Sequence, residues 1–246
     1  MPSVRLCFLG SGDAFASGGR AQTCLHLDGG DEPLLIDCGA TALMALKRDR
    51  IDPASIGWVA LSHLHGDHFA GLPWMILDGQ FTDRTRPLVI AGPSGAERRL
   101  ADAFEALYPG ASDVERPFEI RFLELCDGAQ CELGPARVTP FEVVHGGGAT
   151  PYALRVEYGG RVIAFSGDTQ WTDRLLEACS GADLFVCECN SFDEQVPGHL
   201  DWVTLASKRD QLDCERLVIT HMGERMLAHA AELDIEAARD GLVIEL

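Results

Sequence analysis

Leu61-Ser62-His63-Leu64-His65-Gly66-Asp67-His68-Phe69 places three histidines and one aspartate within six residues. The short apolar run 57–61, with Trp58-Val59-Ala60 at its centre, predicts a strand that ends immediately before them. The four polar residues therefore sit on the loop that leaves this strand. Residues two apart in an extended segment share a face, so the imidazoles of His63 and His65 can reach one metal ion. Asp67 and His68 fall where the amphipathic run 69–77 begins its helix, and from there they can point at a second ion. Imidazole nitrogen with carboxylate oxygen is the ligand set expected of zinc, iron or manganese.

Composition sets the frame for that cluster. A chain of 246 residues, 46% hydrophobic and 24% charged, reads as one large globular domain spanning 1–246. Its net charge of -18 keeps it in solution and repels phosphate backbones, which argues against a broad nucleic-acid face. A small anionic substrate held by metal ions stays compatible with that charge. There is no apolar run of about 18 residues, so no membrane-spanning helix is expected. Met1-Pro-Ser-Val-Arg-Leu-Cys-Phe-Leu-Gly10 leads into a strand without the layout of a signal peptide. The nine cysteines are odd in number, form no Cys-x-x-Cys pair and lie singly in apolar runs. Reduced, mostly buried thiols in a cytoplasmic protein are the expectation.

Along the chain, strands are expected at 4–9, 22–27, 33–37, 87–91, 131–133, 138–144, 161–166, 183–187, 216–220 and 242–245. The residues from 117 to 158 carry a largely alternating β pattern, and 22–37 reads as a hairpin around Gly29-Gly30. Helices are expected at 41–48, 93–108, 173–178, 202–212 and 223–233. Gly10-Ser11-Gly12 has the look of a phosphate loop, but no Lys-Ser/Thr follows and no helix opens there, so it reads as a turn. Strands in two batches, each flanked by helices, suggest two sheets packed face to face with helices outside, a four-layer αββα sandwich of the α/β class.

Three more positions share one grammar, a short apolar strand ending in a ligand-type residue. Val143-Val144 runs into His145 and then Gly146-Gly147-Gly148, where glycine lets backbone pass close to an ion. Residues 163–167 run into Asp168, and 217–220 run into His221. Each alone could be an ordinary strand-end polar residue; after His-x-His-x-Asp-His the three together point to a metal centre. His26, between Leu25 and Leu27, and His229, on a helix, read as core or surface histidines. Trp74, Trp171 and Trp202 follow ligand-type positions closely and read either as pocket walls or as core.

In this order the motifs resemble the metallo-β-lactamase-fold hydrolase superfamily, from Leu9-Gly-Ser-Gly12 and Leu35-Ile-Asp-Cys-Gly39 to Thr220-His221. The resemblance implies His63, His65 and His145 around a first metal, Asp67, His68 and His221 around a second, and Asp168 between them. It implies two divalent ions about 3.5–4 Å apart, zinc in the first instance with manganese or iron as alternatives, sharing a water acidified for attack. Phe165-Ser-Gly-Asp-Thr169, Ile219-Thr-His221, Glu188 at a strand end and Gly198-His199-Leu200 are similar to the ribonuclease Z-like branch. That likeness implies His199 as the acid for the leaving group, oriented by Glu188, with Asp67 able to take a proton from the attacking water.

Two departures narrow the likeness. Only 146–167 separates His145 from Asp168, too short for the branch's exosite arm, and Cys189-Asn190-Ser191 replaces its usual Ala-Thr. With the negative charge, tRNA becomes an unfavourable partner. The expectation is a dinuclear metal hydrolase, in the first instance a phosphodiesterase on a small-molecule substrate with no membrane partner. A carboxyl ester, lactone or thioester hydrolase on the same metals is the first alternative. A non-catalytic metal-binding sensor or scaffold is the second, and the sequence leaves open whether the chain forms a homodimer.

Overall fold

Strands that are apolar on both faces must be covered on both faces, and the computed structural model, which describes residues 3–29, 32–112 and 114–246, shows how. The first sheet contains β1 (Arg5–Gly10), β2 (Cys24–Asp28), β3 (Leu34–Ile36), β4 (Trp58–Ala60), β5 (Leu88–Gly92) and β6 (Ile120–Glu124). The second contains β7 (Cys131–Leu133), β8 (Ala136–Glu142), β9 (Tyr152–Tyr158) and β10 (Arg161–Phe165). It continues with β11 (Leu184–Glu188), β12 (Leu217–Thr220) and the two-residue β13 (Glu236–Ala237). With the last strand, β14 (Val243–Glu245), the strand orders are 14-1-2-3-4-5-6 and 13-12-11-10-9-8-7.

The last strand, β14, departs from the division into two batches. It crosses back and pairs antiparallel with β1 in the first sheet. β2 and β3 form the expected hairpin, with Leu27 opposite Leu34; Gly30 of its turn lies outside the described residues.

Helices cover both outer faces. α1 (Ala42–Arg48), α2 (Gly66–Phe69), α3 (Gly71–Phe81) and α4 (Ala96–Leu107) belong to the first half. α5 (Arg174–Cys179), α6 (Trp202–Lys208) and α7 (Glu224–Ala230) belong to the second. Three separate apolar clusters define the four layers. Leu6, Phe8, Leu27 and Ile36 meet Val138, Val156, Phe165 and Val186 between the sheets. Leu35, Val59 and Ile90 meet Leu46, Met75, Ile76 and Phe104 under α1, α3 and α4. Phe185, Cys187 and Ile219 meet Leu175, Leu205 and Met226 under α5 to α7. Alternate residues of one strand thus feed different layers, as the period of two requires.

The helix after the histidine cluster differs from its expectation. It is broken at Ala70, because Pro73 has no N–H to donate to the Phe69 carbonyl. α3 is also not amphipathic: Leu72, Pro73, Met75 and Ile76 are buried and Trp74 and Leu77 half-buried, since α1 and α4 flank it. The later helices are shorter than expected. α6 tightens into a single 3₁₀ turn at Arg209–Gln211, and α7 stops at Ala230. Among the described residues no helix is long and apolar enough to cross a membrane.

Candidate metal centre

β10, β11 and β12 are parallel and β8 runs in the same direction as β10, so their carboxyl ends open on one edge of the second sheet. The loop after β4 meets that edge, and the seven expected ligand residues converge. His63 Nε2 lies 3.7 Å from Asp168 Oδ2, and His145 Nε2 lies 3.9 Å from the same oxygen. His65 Nδ1 is 2.9 Å from His145 Nε2. On the other side of Asp168, His68 Nε2 is 3.2 Å from Oδ1 and His221 Nε2 is 3.3 Å from Oδ2, while Asp67 Oδ2 is 3.3 Å from His68 Nε2. Two donor groups hold the expected ligands, His63/His65/His145 and Asp67/His68/Asp168/His221, and a third combination, His145/Asp168/His199, brings His199 within reach of the same atoms.

Whether these donors suit metal ions is decided by their unmet polarity. His63 Nε2, His68 Nε2, Asp67 Oδ2 and Asp168 Oδ1 are buried and have no hydrogen-bond partner. Four orphaned polar atoms at one point carry a large desolvation penalty unless a ligand meets them. Ligand atoms around a tetrahedral ion with bonds of about 2.0–2.1 Å lie about 3.3 Å apart, the spacing found around His68 and Asp168. The cluster fits a dinuclear metal site. Protonation differs between the rings: burial, then the charge of His68, holds His63 well below the ordinary histidine range, in the neutral form that ligates, whereas Asp168 and Asp37 overcome burial and raise His68, so an ion bound there must displace a proton. Burial would raise Asp168, but the charges of His221 and His68 overcome it and keep the carboxylate ionised.

The outer ring nitrogens are held from behind, which fixes which nitrogen faces inward. His63 Nδ1 meets Ser62 Oγ at 3.0 Å, His145 Nδ1 donates to the Gly198 carbonyl at 2.7 Å, and His221 Nδ1 meets Thr23 Oγ1 at 3.3 Å. His68 Nδ1 donates to Asp37 Oδ2 at 2.6 Å, and Asp37 also accepts from Ser62 N and Ser62 Oγ at 2.7 Å each. Asp37 and His221 both occupy the left-handed region, at φ 57° and 58°. Such strain costs on the order of 1–3 kcal/mol and persists only where the surroundings impose it. Asp37→Asn is expected to weaken metal affinity about 10–100-fold, read by chelator competition, because the His68 ring loses its carboxylate anchor.

Asp37, Ser62 and Thr23 carry roles the sequence reading did not assign, although Asp37 obeys the grammar of a strand ending in a carboxylate. In the glycine triplet the crowded position is Gly147, at φ 121°, where a β-carbon would overlap His65 Nε2. Gly198, at φ 84°, would place one 2.8 Å from His145 Nδ1. Glycine here makes room for ligand rings rather than for an ion alone.

Glu188 and His199 stand together beside the cluster. Glu188 is fully buried at the end of β11 and accepts from Thr169 N at 2.5 Å and Leu200 N at 3.2 Å. His199 Nδ1 lies 3.2 and 3.3 Å from its two oxygens, which leaves Nε2 to face outward. Burial pulls the His199 imidazole down, but the hydrogen bond and charge of Glu188, with Asp168 and Asp67 behind, push it up to about 9. The His199 ring stacks at 5.5 Å on that of His221 and lies 5.0 Å from that of His145.

The remaining aromatic and histidine positions divide differently. Trp171 and Trp202 pack on the outer core of the second sheet, and Trp74 meets Tyr108 edge-on, so all three serve packing. His229 stacks on Phe192 at 4.1 Å. His26 is buried in β2, but its Nε2 has no partner, so it is not the satisfied core histidine expected.

Comparison with known proteins agrees with the geometry. The family model described as anti-Pycsar protein Apyc1 matches residues 4–237. Ribonuclease Z of Methanosarcina acetivorans is 26% identical over 274 residues, covering 90% of this chain and 88% of that protein. The crystal structure of the short form of human tRNase Z superposes with a TM-score of 0.79 at 25% identity, covering 98% of each chain. The metallo-β-lactamase fold protein YhfI from Bacillus subtilis superposes equally well, at 0.79 and 22% identity, over 99% of this chain and 100% of that one. The chain therefore belongs to the family of the anti-Pycsar protein Apyc1, among the metal-dependent hydrolases of the ribonuclease Z-like branch of the metallo-β-lactamase fold.

Proposed function

We propose that this chain is a phosphodiesterase that acts on a small phosphodiester. The observation that carries the reading is the Glu188–His199 pair beside the metal cluster. Phosphodiester cleavage builds negative charge on a departing oxygen, and a protonated imidazole aimed at that oxygen lowers the barrier. In this reading His63, His65 and His145 would hold one ion and Asp67, His68 and His221 the other, with Asp168 within reach of both groups. Two divalent ions, zinc by the histidine-rich donor set, would supply Lewis acidity and a water acidified toward neutrality. Asp67, whose Oδ2 is buried in the cluster without a hydrogen-bond partner, would be placed to take a proton from an attacking water. His199 gives the Nε2 proton to the leaving alkoxide, and Glu188 holds the ring by Nδ1 so that Nε2 keeps facing the substrate.

Small size is supported by what surrounds the site. The segment 146–167, where the exosite arm would stand, is taken up by the β9–β10 hairpin. A net charge of -18 opposes a polyanion such as tRNA. Arg98, Arg99 and Asp102, which offsets one of the two cations, line an open cavity of about 280 Å³ with Leu64, Gly147 and Gly148 next to the His65 ring, and its net positive charge would favour a small anion. Turnover of matched phosphodiester, phosphomonoester, lactone and thioester substrates by the zinc-loaded protein tests the reading. The diester is expected to be hydrolysed fastest. A lactone or thioester preferred by tenfold or more would replace this proposal with acyl-group chemistry, and no turnover of any of them would favour a sensor or scaffold.

A further inference from the structure

His221 carries its side chain into the cluster from a left-handed backbone, and its peptide groups are held from two sides. On the amino side, His221 N donates to the Ser11 carbonyl at 3.2 Å, and Thr220 Oγ1 donates to the same oxygen at 3.3 Å. Ser11 is itself fixed by Asp240, whose Oδ1 accepts from Ser11 N at 3.0 Å and Ser11 Oγ at 2.8 Å. The other oxygen, Oδ2, accepts from Ala21 N at 2.7 Å, so both lobes of the Gly10–Ala21 loop hang on one carboxylate. On the carboxyl side, Asn190 Nδ2 donates to the His221 carbonyl at 3.3 Å. The Asn190 backbone ties this point to its surroundings: its N–H donates to the Leu200 carbonyl at 2.9 Å, and its carbonyl accepts from Gly223 N at 2.9 Å.

We propose that Asp240, acting through Ser11, and Asn190 form a two-sided clamp that holds His221 in the conformation that aims Nε2 at Asp168. Both are positioning residues, and neither touches the reacting atoms. The inference rests on His221 as a ligand of the second ion. A residue with a β-carbon leaves the left-handed region when nothing holds it there. A relaxed His221 would swing its ring away from Asp168 and leave the second ion one donor short, with the His63/His65/His145 group untouched. Asn190 stands where the chain departs from the branch's usual Ala-Thr, and neither of those residues has an amide to donate to the His221 carbonyl. Its backbone bond to Leu200 also joins the segment carrying His199 to the one carrying His221, so one residue registers the proposed acid against the second ion.

Two near-isosteric variants test the clamp. Asn190→Asp replaces the amide donor with a carboxylate that cannot donate to the His221 carbonyl and repels it, and Asp240→Asn cannot accept from Ser11 and Ala21 together. Zinc affinity of each site is read by chelator titration, and exchange of the His221 amide by hydrogen exchange in metal-free protein. Both variants are expected to weaken the second ion's binding tenfold or more, with the first within about twofold. The His221 amide is expected to exchange at least tenfold faster in Asp240→Asn. Arg137→Ala, which breaks an exposed pair with Glu157, serves as the control for general destabilisation and is expected to leave both affinities unchanged. Wild-type affinity and wild-type His221 exchange in Asn190→Asp and Asp240→Asn would overturn the clamp, as would equal weakening of both ions. If the wild-type protein binds fewer than two ions the dinuclear reading fails, and unprotected exchange at His221 would then decide the clamp on its own.

Discussion

Asp168→Ala is expected to lower phosphodiester turnover by at least about 10³-fold and to bring bound zinc below one ion per chain, because it strips charge neutralisation from both ions at once. Among the described residues no other serves both donor groups so closely: His68 and His221 lie 3.2 and 3.3 Å from its oxygens, and His63 and His145 lie 3.7 and 3.9 Å away. The variant leaves those imidazoles with Asp67 as the one carboxylate at the centre of the cluster. Folding should survive on the three apolar cores, none of which includes Asp168, although the Nε2 atoms of His68 and His221 lose their nearest anion. Stabilisation by a ligand scales with its affinity for the native state, so the rise in Tm on adding zinc should shrink sharply in the variant. Turnover and zinc-dependent Tm measured together separate loss of metal from loss of fold. A variant that keeps two ions would remove Asp168 from the centre of the account.

His199→Ala is expected to keep both ions and to lose about 10²–10⁴-fold in turnover of a diester whose leaving group is an alkoxide. The loss should depend on that leaving group. A nitrophenolate departs without protonation, so on a nitrophenyl diester the same variant should lose tenfold or less. Uniform loss on both substrates would point to a binding role instead. The pH profile adds a second readout. With its proton held by Glu188 up to about 9, His199 is a cation at neutral pH, and acid catalysis fades as pH rises through that value. Two dications nearby pull in the opposite direction, so in loaded enzyme the limb lies at or below about 9. Glu188→Gln removes the anion that raises the imidazole, and the alkaline limb should move toward the ordinary histidine value of about 6.5. A limb that does not move, or moves to higher pH, would contradict the pairing.

Much of this site is legible in the sequence because its ligands end strands. A short apolar run followed by histidine or aspartate is visible in one sequence, and His63, His65, Asp67, His68, His145, Asp168 and His221 all meet in space. The layers were legible for the same reason, since the period of two along each strand sets which residues enter which core. What could not be read is what depends on three-dimensional approach. Asp37 looked like one more strand end, and only its 2.6 Å contact with His68 reveals the anchor. Gly10-Ser11-Gly12 looked like a bare turn, yet its carbonyl holds His221 from 210 positions away in the chain. The return of β14 to the first sheet was hidden because three alternating residues, Val243–Glu245, suit an edge of either sheet. The helix break at Ala70 was available in principle from Pro73, but the buried character of α3 needed α1 and α4 in place beside it.

Stepwise addition of zinc to metal-stripped protein, with turnover of an alkoxide diester followed at each equivalent, tests the two-ion centre most directly. The account predicts little activity at one equivalent per chain, full activity at two, and no gain beyond. Full activity at one equivalent would contradict it, as would activity that survives complete stripping.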